Sequence, residues 1–98
     1  MLLKKIMSLS TKSYMDSKEI YQITVRVTKN DSSFVYFTLE SNEGISFYST
    51  LPFSKGQMYR DLIIYSTPEL SNNLNAIIEH LTNKIKIEIL DKKFIQDE

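Results

Sequence analysis

The sequence predicts an α+β domain in which an antiparallel sheet of about five strands carries one helix on one face. Residues 19–28, EIYQITVRVT, alternate apolar and polar as a strand with one buried face does. Residues 33–50, SFVYFTLESNEGISFYST, are rich in β-branched and aromatic residues and contain a polar turn. Residues 67–81 repeat apolar side chains at the spacing of one helix face.

Composition narrows the possible classes of protein. A chain of 98 residues forms one domain, and a formal net charge of zero argues against binding dominated by phosphate or acidic lipid. Because the chain has no cysteine, disulfides and thiolate metal sites are excluded. Residues 1–15 lack the apolar core of a secretory signal and no apolar run has the length of a membrane span, so a cytoplasmic protein without a membrane partner is expected.

The strand pattern continues after residue 28. Lys29 to Ser32 have turn chemistry, and Gly44 provides positive φ for a second turn. Together with 19–28, three further segments are predicted to form a four-strand meander: Phe34–Glu40, Ile45–Thr50 and Tyr59–Ser66.

The helix follows directly. Thr67 is a good N-cap, Pro68 suits the first turn, and Asn83 is predicted to end the helix in a left-handed conformation. The apolar face of the helix consists of Leu70, Leu74, Ile77, Ile78 and Leu81. The last predicted strand is 84–90, with Ile85, Ile87 and Ile89 inward. The expected organisation is a flexible N-terminal arm at 1–17, a domain at 18–91 and a frayed tail at 92–98.

The run Leu39-Glu40-x-x-Glu43-Gly44, with a following apolar strand that ends in Thr50, resembles a family of small bacterial proteins known as a domain of unknown function, DUF4911. The resemblance covers about residues 33–90. It implies a compact α+β domain similar to ferredoxin-like or ACT-like ligand-sensing domains. It implies no activity, and its matching polar positions are Glu40, Glu43 and Thr50.

One helix covers only one side of such a sheet, so the other side needs a cover. Its apolar residues are expected to be Phe34, Tyr36, Tyr48, Ile63 and Tyr65. A contiguous apolar patch on a small domain marks a partner surface, and the simplest partner is a second copy. Alternatively, the N-terminal arm covers the face with Leu2, Leu3, Ile6 and Met7.

The polar residues give only weak evidence for a catalytic or metal site. His80 has no partner at helical spacing, and Arg60 and Asp61 point to opposite faces of a strand. The pair Glu40 and Glu43, at a turn, lacks the further oxygen ligands that Ca²⁺ requires. No catalytic residue, cofactor or metal site is therefore predicted.

The expected function is a non-enzymatic binding or regulatory module that self-associates through its aromatic sheet face. The alternatives are a small adaptor that docks on one protein partner, an RNA-binding domain, or an enzyme whose site is shared between subunits. RNA binding is disfavoured because the chain is neutral and lacks the Arg/Lys-Gly opening of the RNP signature. A small-molecule ligand is compatible with a dimer interface near residues 41–44 and 51–58.

Overall fold

The computed structural model describes residues 19–96. The elements follow one another in the order β1 (Glu19–Thr28), α1 (Ser32–Ser41), β2 (Phe47–Thr50), β3 (Tyr59–Ser66), α2 (Ser71–Thr82) and β4 (Ile87–Gln96). One-turn 3-10 helices, Lys29–Asp31 and Pro68–Leu70, lead into α1 and α2.

The described residues form a sheet of four strands in the order β2-β3-β1-β4, and each neighbouring pair is antiparallel. In β1, Ile23 lies opposite Ile64 of β3, which in turn lies opposite Tyr48 of β2. On the other side of β1, Val25 lies opposite Ile89 of β4. The strand that the sequence predicts most clearly, β1, is therefore interior to the sheet, whereas β2 and β4 are the outer strands among the described residues.

The predicted strand Phe34–Glu40 is wrong, because this segment is helix α1. Val35 and Leu39 are four residues apart and both buried, which is the spacing of a helix face. The aromatic residues between them gave the segment a strand-like composition, but Phe37 remains 69% exposed on the outer side of the helix. Residues 19–96 consequently form four strands and two α-helices, and the strands do not form a simple meander.

Other local predictions are confirmed. The strands 19–28 and 59–66 have the expected bounds. The Thr67 hydroxyl accepts a hydrogen bond from the backbone N–H of Leu70 at 3.3 Å, as an N-cap does. Asn83 ends α2, but its φ of −80° and ψ of −12° are right-handed, so the predicted left-handed end is wrong.

The last strand lies further along the chain than predicted. Strand β4 begins at Ile87 and continues to Gln96, past the predicted domain boundary at 91 and into the predicted tail. The Phe94 ring lies 4.8 Å from the Tyr21 ring, and Ile95 lies opposite Ile20. These apolar pairs hold the end of β4 on β1. The predicted arm at residues 1–17 lies outside the described residues.

Both helices pack on the same face of the sheet. One cluster of buried side chains joins Val35 and Leu39 of α1 with Leu74, Ile78 and Leu81 of α2. The strands contribute Tyr21, Ile23, Val25, Val27, Leu62 and Ile64 to the same cluster. Because side chains alternate along a strand, the other residues of these strands lie on the opposite face. Neither helix of residues 19–96 packs there, and we call it the helix-free face.

Candidate functional site

The five residues expected to form one aromatic sheet face do not share a face. Phe34 and Tyr36 lie on α1. Tyr48 lies opposite the buried Ile64 and packs on the core, so it belongs to the helix-covered face. Ile63 and Tyr65 alternate with core residues of β3 and therefore lie on the helix-free face. The expected patch is divided because its first two members were assigned to a strand.

The structure instead brings four of the predicted residues together between α1 and β2. The rings of Tyr36 and Tyr48 are stacked, with centroids 5.1 Å apart. The Tyr48 hydroxyl donates to Glu40 Oε2 at 2.7 Å, and the Tyr36 hydroxyl shares a hydrogen bond of 2.8 Å with the Thr50 hydroxyl. We call these four residues the tyrosine cluster. Glu43, the remaining polar candidate, lies exposed in the following turn.

The electrostatics of the tyrosine cluster indicate a structural role. Burial, and then the hydrogen bond to Glu40, raises the pKa of Tyr48 to about 12. A phenol with a raised pKa stays neutral and is a poor base or nucleophile at physiological pH. The contacts of the cluster join α1 to the short outer strand β2.

The helix-free face has an apolar part and a charged part. Phe47 of β2 lies opposite Tyr65, and Ile63 lies opposite Thr24 of β1. Beside them, Arg26 holds Asp61 through two hydrogen bonds, Nε to Oδ1 at 2.8 Å and a terminal nitrogen to Oδ2 at 3.0 Å. This face is therefore a mixed surface.

The Arg26–Asp61 pair is satisfied within the chain. The hydrogen bond to Asp61 raises the pKa of Arg26 above its ordinary value, although burial acts in the opposite direction. The guanidinium also lies 4.2 Å from the centroid of the Tyr59 ring. Two-point contact with its own carboxylate leaves Arg26 poorly placed to capture an external anion. The sequence placed Arg60 and Asp61 on opposite faces but did not identify Arg26 as the partner of Asp61.

The remaining titratable candidates do not converge on a site. His80 is exposed in the last turn of α2. The Arg60 guanidinium lies 3.5 Å from the Phe53 ring centroid and donates to the Gln57 carbonyl at 2.9 Å. Within residues 19–96, no group of three or more His, Asp or Glu side chains is arranged to hold a metal ion.

The outer edge of β4 is the feature that the sequence did not reveal. Among the described residues, no strand pairs with this edge, and β4 is ten residues long. Its exposed apolar side chains are Ile89 (43%), Leu90 (40%) and Phe94 (52%). The sequence feature that could have indicated this longer strand is the apolar pair Phe94-Ile95, which follows Lys92 and Lys93.

Strand β4 or its start contributes to two depressions that residues 19–96 line. One, of about 160 Å³, lies at the end of the sheet and is lined by Arg26, Val27, Thr28, Tyr59, Lys86 and Glu88. It is smaller than the roughly 300–1,000 Å³ of typical ligand pockets. The other, of about 360 Å³, is a groove between α2 and β4 that is lined by Asn75, Ile78, Glu79, Thr82, Ile89 and Lys92. The larger groove therefore opens beside the unpaired edge.

None of the family models, curated proteins or solved structures compared with this chain matches it. Neither helix of residues 19–96 is long and apolar enough to cross a membrane.

Proposed function

We propose that this protein is a non-enzymatic binding module that accepts an extended strand of a protein partner along the outer edge of β4. One observation carries the proposal: β4 is a ten-residue outer strand whose outer edge is unpaired within residues 19–96. A row of unpaired backbone N–H and C=O groups is a template for another strand. The exposure of Ile89, Leu90 and Phe94 adds apolar contact area along this row.

The groove between α2 and β4 supports the same surface. In strand addition, backbone hydrogen bonds hold the incoming chain and pockets for alternate side chains select it. Ile89 and Lys92 line the groove from the sheet, while Ile78 lines it from α2. A side chain of a bound strand that points toward the helix layer would contact these residues.

The charges along β4 favour a polypeptide partner over a nucleic acid. Asp91 forms an ion pair with Lys93 at 3.3 Å, and Glu88 and Lys92 add one charge of each sign. Phosphate binding needs an excess of positive charge, which this edge does not have. Binding of a second copy and docking on a different protein, as an adaptor does, are the two forms that this function can take.

The scaffold is consistent with such a module. The order β1-α1-β2-β3-α2-β4, with β3 and β1 as the inner strands, resembles the split βαβ arrangement of ferredoxin-like domains. The predicted resemblance to DUF4911 proteins adds no support, because no family model matches this chain. A fold of this kind serves many functions, so the proposal rests on the edge strand.

The test is chemical cross-linking of the full chain through lysine, in extracts of its own cells and as purified protein, with the linked peptides identified by mass spectrometry. Lys86, Lys92 and Lys93 flank the proposed edge, whereas Lys29 and Lys55 are exposed elsewhere on the described domain. We expect intermolecular links to concentrate at the first three lysines. Links that instead concentrate at Lys29 or Lys55 would contradict the proposal.

A matched pair of variants separates the edge from general surface hydrophobicity. Ile89→Glu introduces a charge at the edge, and Phe37→Glu introduces the same charge at an exposed apolar position of α1. The first variant is expected to lose the links at 86, 92 and 93, whereas the second is expected to keep them. Equal loss in both variants would show that the edge is not the binding surface.

A further inference from the structure

Strand β4 contains an irregularity that changes which side chains share a face. Thr24 lies opposite Asp91, but its neighbour Val25 lies opposite Ile89, so Leu90 is an extra residue in β4. On the two sides of this bulge, the residues of β4 that lie opposite buried residues of β1 are Ile87, Ile89, Lys92 and Phe94. Their side chains therefore belong to the helix-covered face. Residues 88, 91, 93 and 95 lie on the helix-free face.

A two-fold axis perpendicular to the sheet would extend this sheet with β4 of a second copy. In such an antiparallel pair, the side chains of directly opposed residues point to the same face. The register that sets Ile87 opposite Phe94 of the other copy satisfies this rule, because both belong to the helix-covered face. It also sets Ile89 opposite Lys92, and the two bulges meet at the centre.

The same register brings opposite charges together. On the helix-free face, Glu88 of each copy lies opposite Lys93 of the other, which gives two identical ion pairs. A shift of the register that moves Glu88 from Lys93 to Asp91 of the other copy sets two like charges opposite each other. A shift in the other direction places Asp91 opposite Lys92, whose side chains belong to different faces.

We infer that the partner strand is β4 of a second copy, in the register that pairs Glu88 with Lys93; this inference rests on the proposed function of the edge. The bulge makes the strand compatible with itself in this register. Like charges disfavour one neighbouring register, and side chains on different faces disfavour the other. The segments 87–94 of the two copies pair, and each subunit continues the sheet of the other.

The test uses two charge reversals, separately and mixed, on the full chain. E88K places two lysines opposite each other twice in its homodimer, and K93E does the same with glutamates. We expect a dimer for the wild type and an increase of about tenfold in the homodimer Kd for each variant, measured by analytical ultracentrifugation across a dilution series. In an equimolar mixture, every 88–93 pair is again of opposite charge, so native mass spectrometry should show a predominant heterodimer.

Controls distinguish the register from general effects of charge. K55E makes the same charge change in an exposed loop and should leave the wild-type Kd unchanged. Because the chain has no cysteine, E88C mixed with K93C should form a disulfide-linked heterodimer under mild oxidation, whereas E88C alone should not. The disulfide measurement tests the register even in the case that E88K, which sets a lysine opposite Arg26, does not fold.

The outcomes separate the inference from the proposed function. A dimer without preference for the mixed pair and without the 88–93 disulfide overturns the register. A wild-type monomer overturns the second copy as the partner, while cross-links from Lys86, Lys92 and Lys93 to another protein would retain the edge function. If the cross-links also avoid β4, both the inference and the proposed function are wrong.

Discussion

The substitution Ile64→Ala tests the two-layer packing on which the faces of the sheet are assigned. Ile64 is fully buried, lies between Ile23 and Tyr48 in the sheet, and belongs to the cluster that both helices cover. Its neighbour Ile63 points to the helix-free face and is only partly buried. The same change at the two positions therefore compares the two faces directly.

The expected loss follows from what the change removes. Replacing isoleucine by alanine deletes three carbon groups, and about 0.8 kcal/mol for each buried group gives about 2.4 kcal/mol. The cavity left between two strands and the helix layer increases the loss to about 4 kcal/mol. For a domain whose unfolding free energy is roughly 5–15 kcal/mol, this is a large fraction. At Ile63, partial exposure reduces the expected loss to about 2 kcal/mol.

Urea unfolding followed by circular dichroism measures both losses. The midpoint should fall much further for I64A than for I63A, with unchanged slopes because the same surface is exposed on unfolding. Equal losses, or a larger loss for I63A, would refute the assignment of faces and with it the face argument for the β4 register.

Two further predictions concern single hydrogen bonds. The pKa of Tyr48 is raised to about 12, so the stabilisation from its neutral phenol is complete below about pH 10 and is lost as the pH rises towards 12. Glu40→Gln removes the nearby negative charge and should lower this pKa in an ultraviolet titration read against Tyr48→Phe, whereas Glu43→Gln should leave it unchanged. Thr67→Ala removes the cap of the Leu70 N–H and should lower the unfolding free energy by about 1 kcal/mol, while Thr67→Ser should restore most of it; equal losses in both would show that the hydroxyl is not the cause.

The elements that were predicted well have a strong signal within their own residues. Strand β1 alternates buried and less buried side chains along almost its whole length, so its pattern is local. The 3-10 turn that leads into α2 is likewise local, because Thr67 and Pro68 act on backbone groups within one turn.

Segment 34–40 shows where local reasoning fails. Its aromatic residues favour a strand. Because the segment is apolar on all sides, the repeat of a strand and the repeat of a helix both fit it. Burial of Val35 and Leu39 against the sheet decides for the helix. This single misassignment divided the predicted interface, since the position of Tyr36 depends on it. It also hid the tyrosine cluster, which needs α1 and β2 side by side.

The sequence by itself determined the α+β class, the alternation of β1 and β3, and the Thr67 cap of the 3-10 turn that leads into α2, since each depends on neighbouring residues. Tertiary structure alone decided that α1 is a helix, that β4 is an outer strand among the described residues, and that its bulge shifts the faces at Leu90. These features arise from pairing and burial between segments distant along the chain, such as Phe94 against Tyr21. The candidate binding edge is consequently a property of strand order, which no local pattern contains.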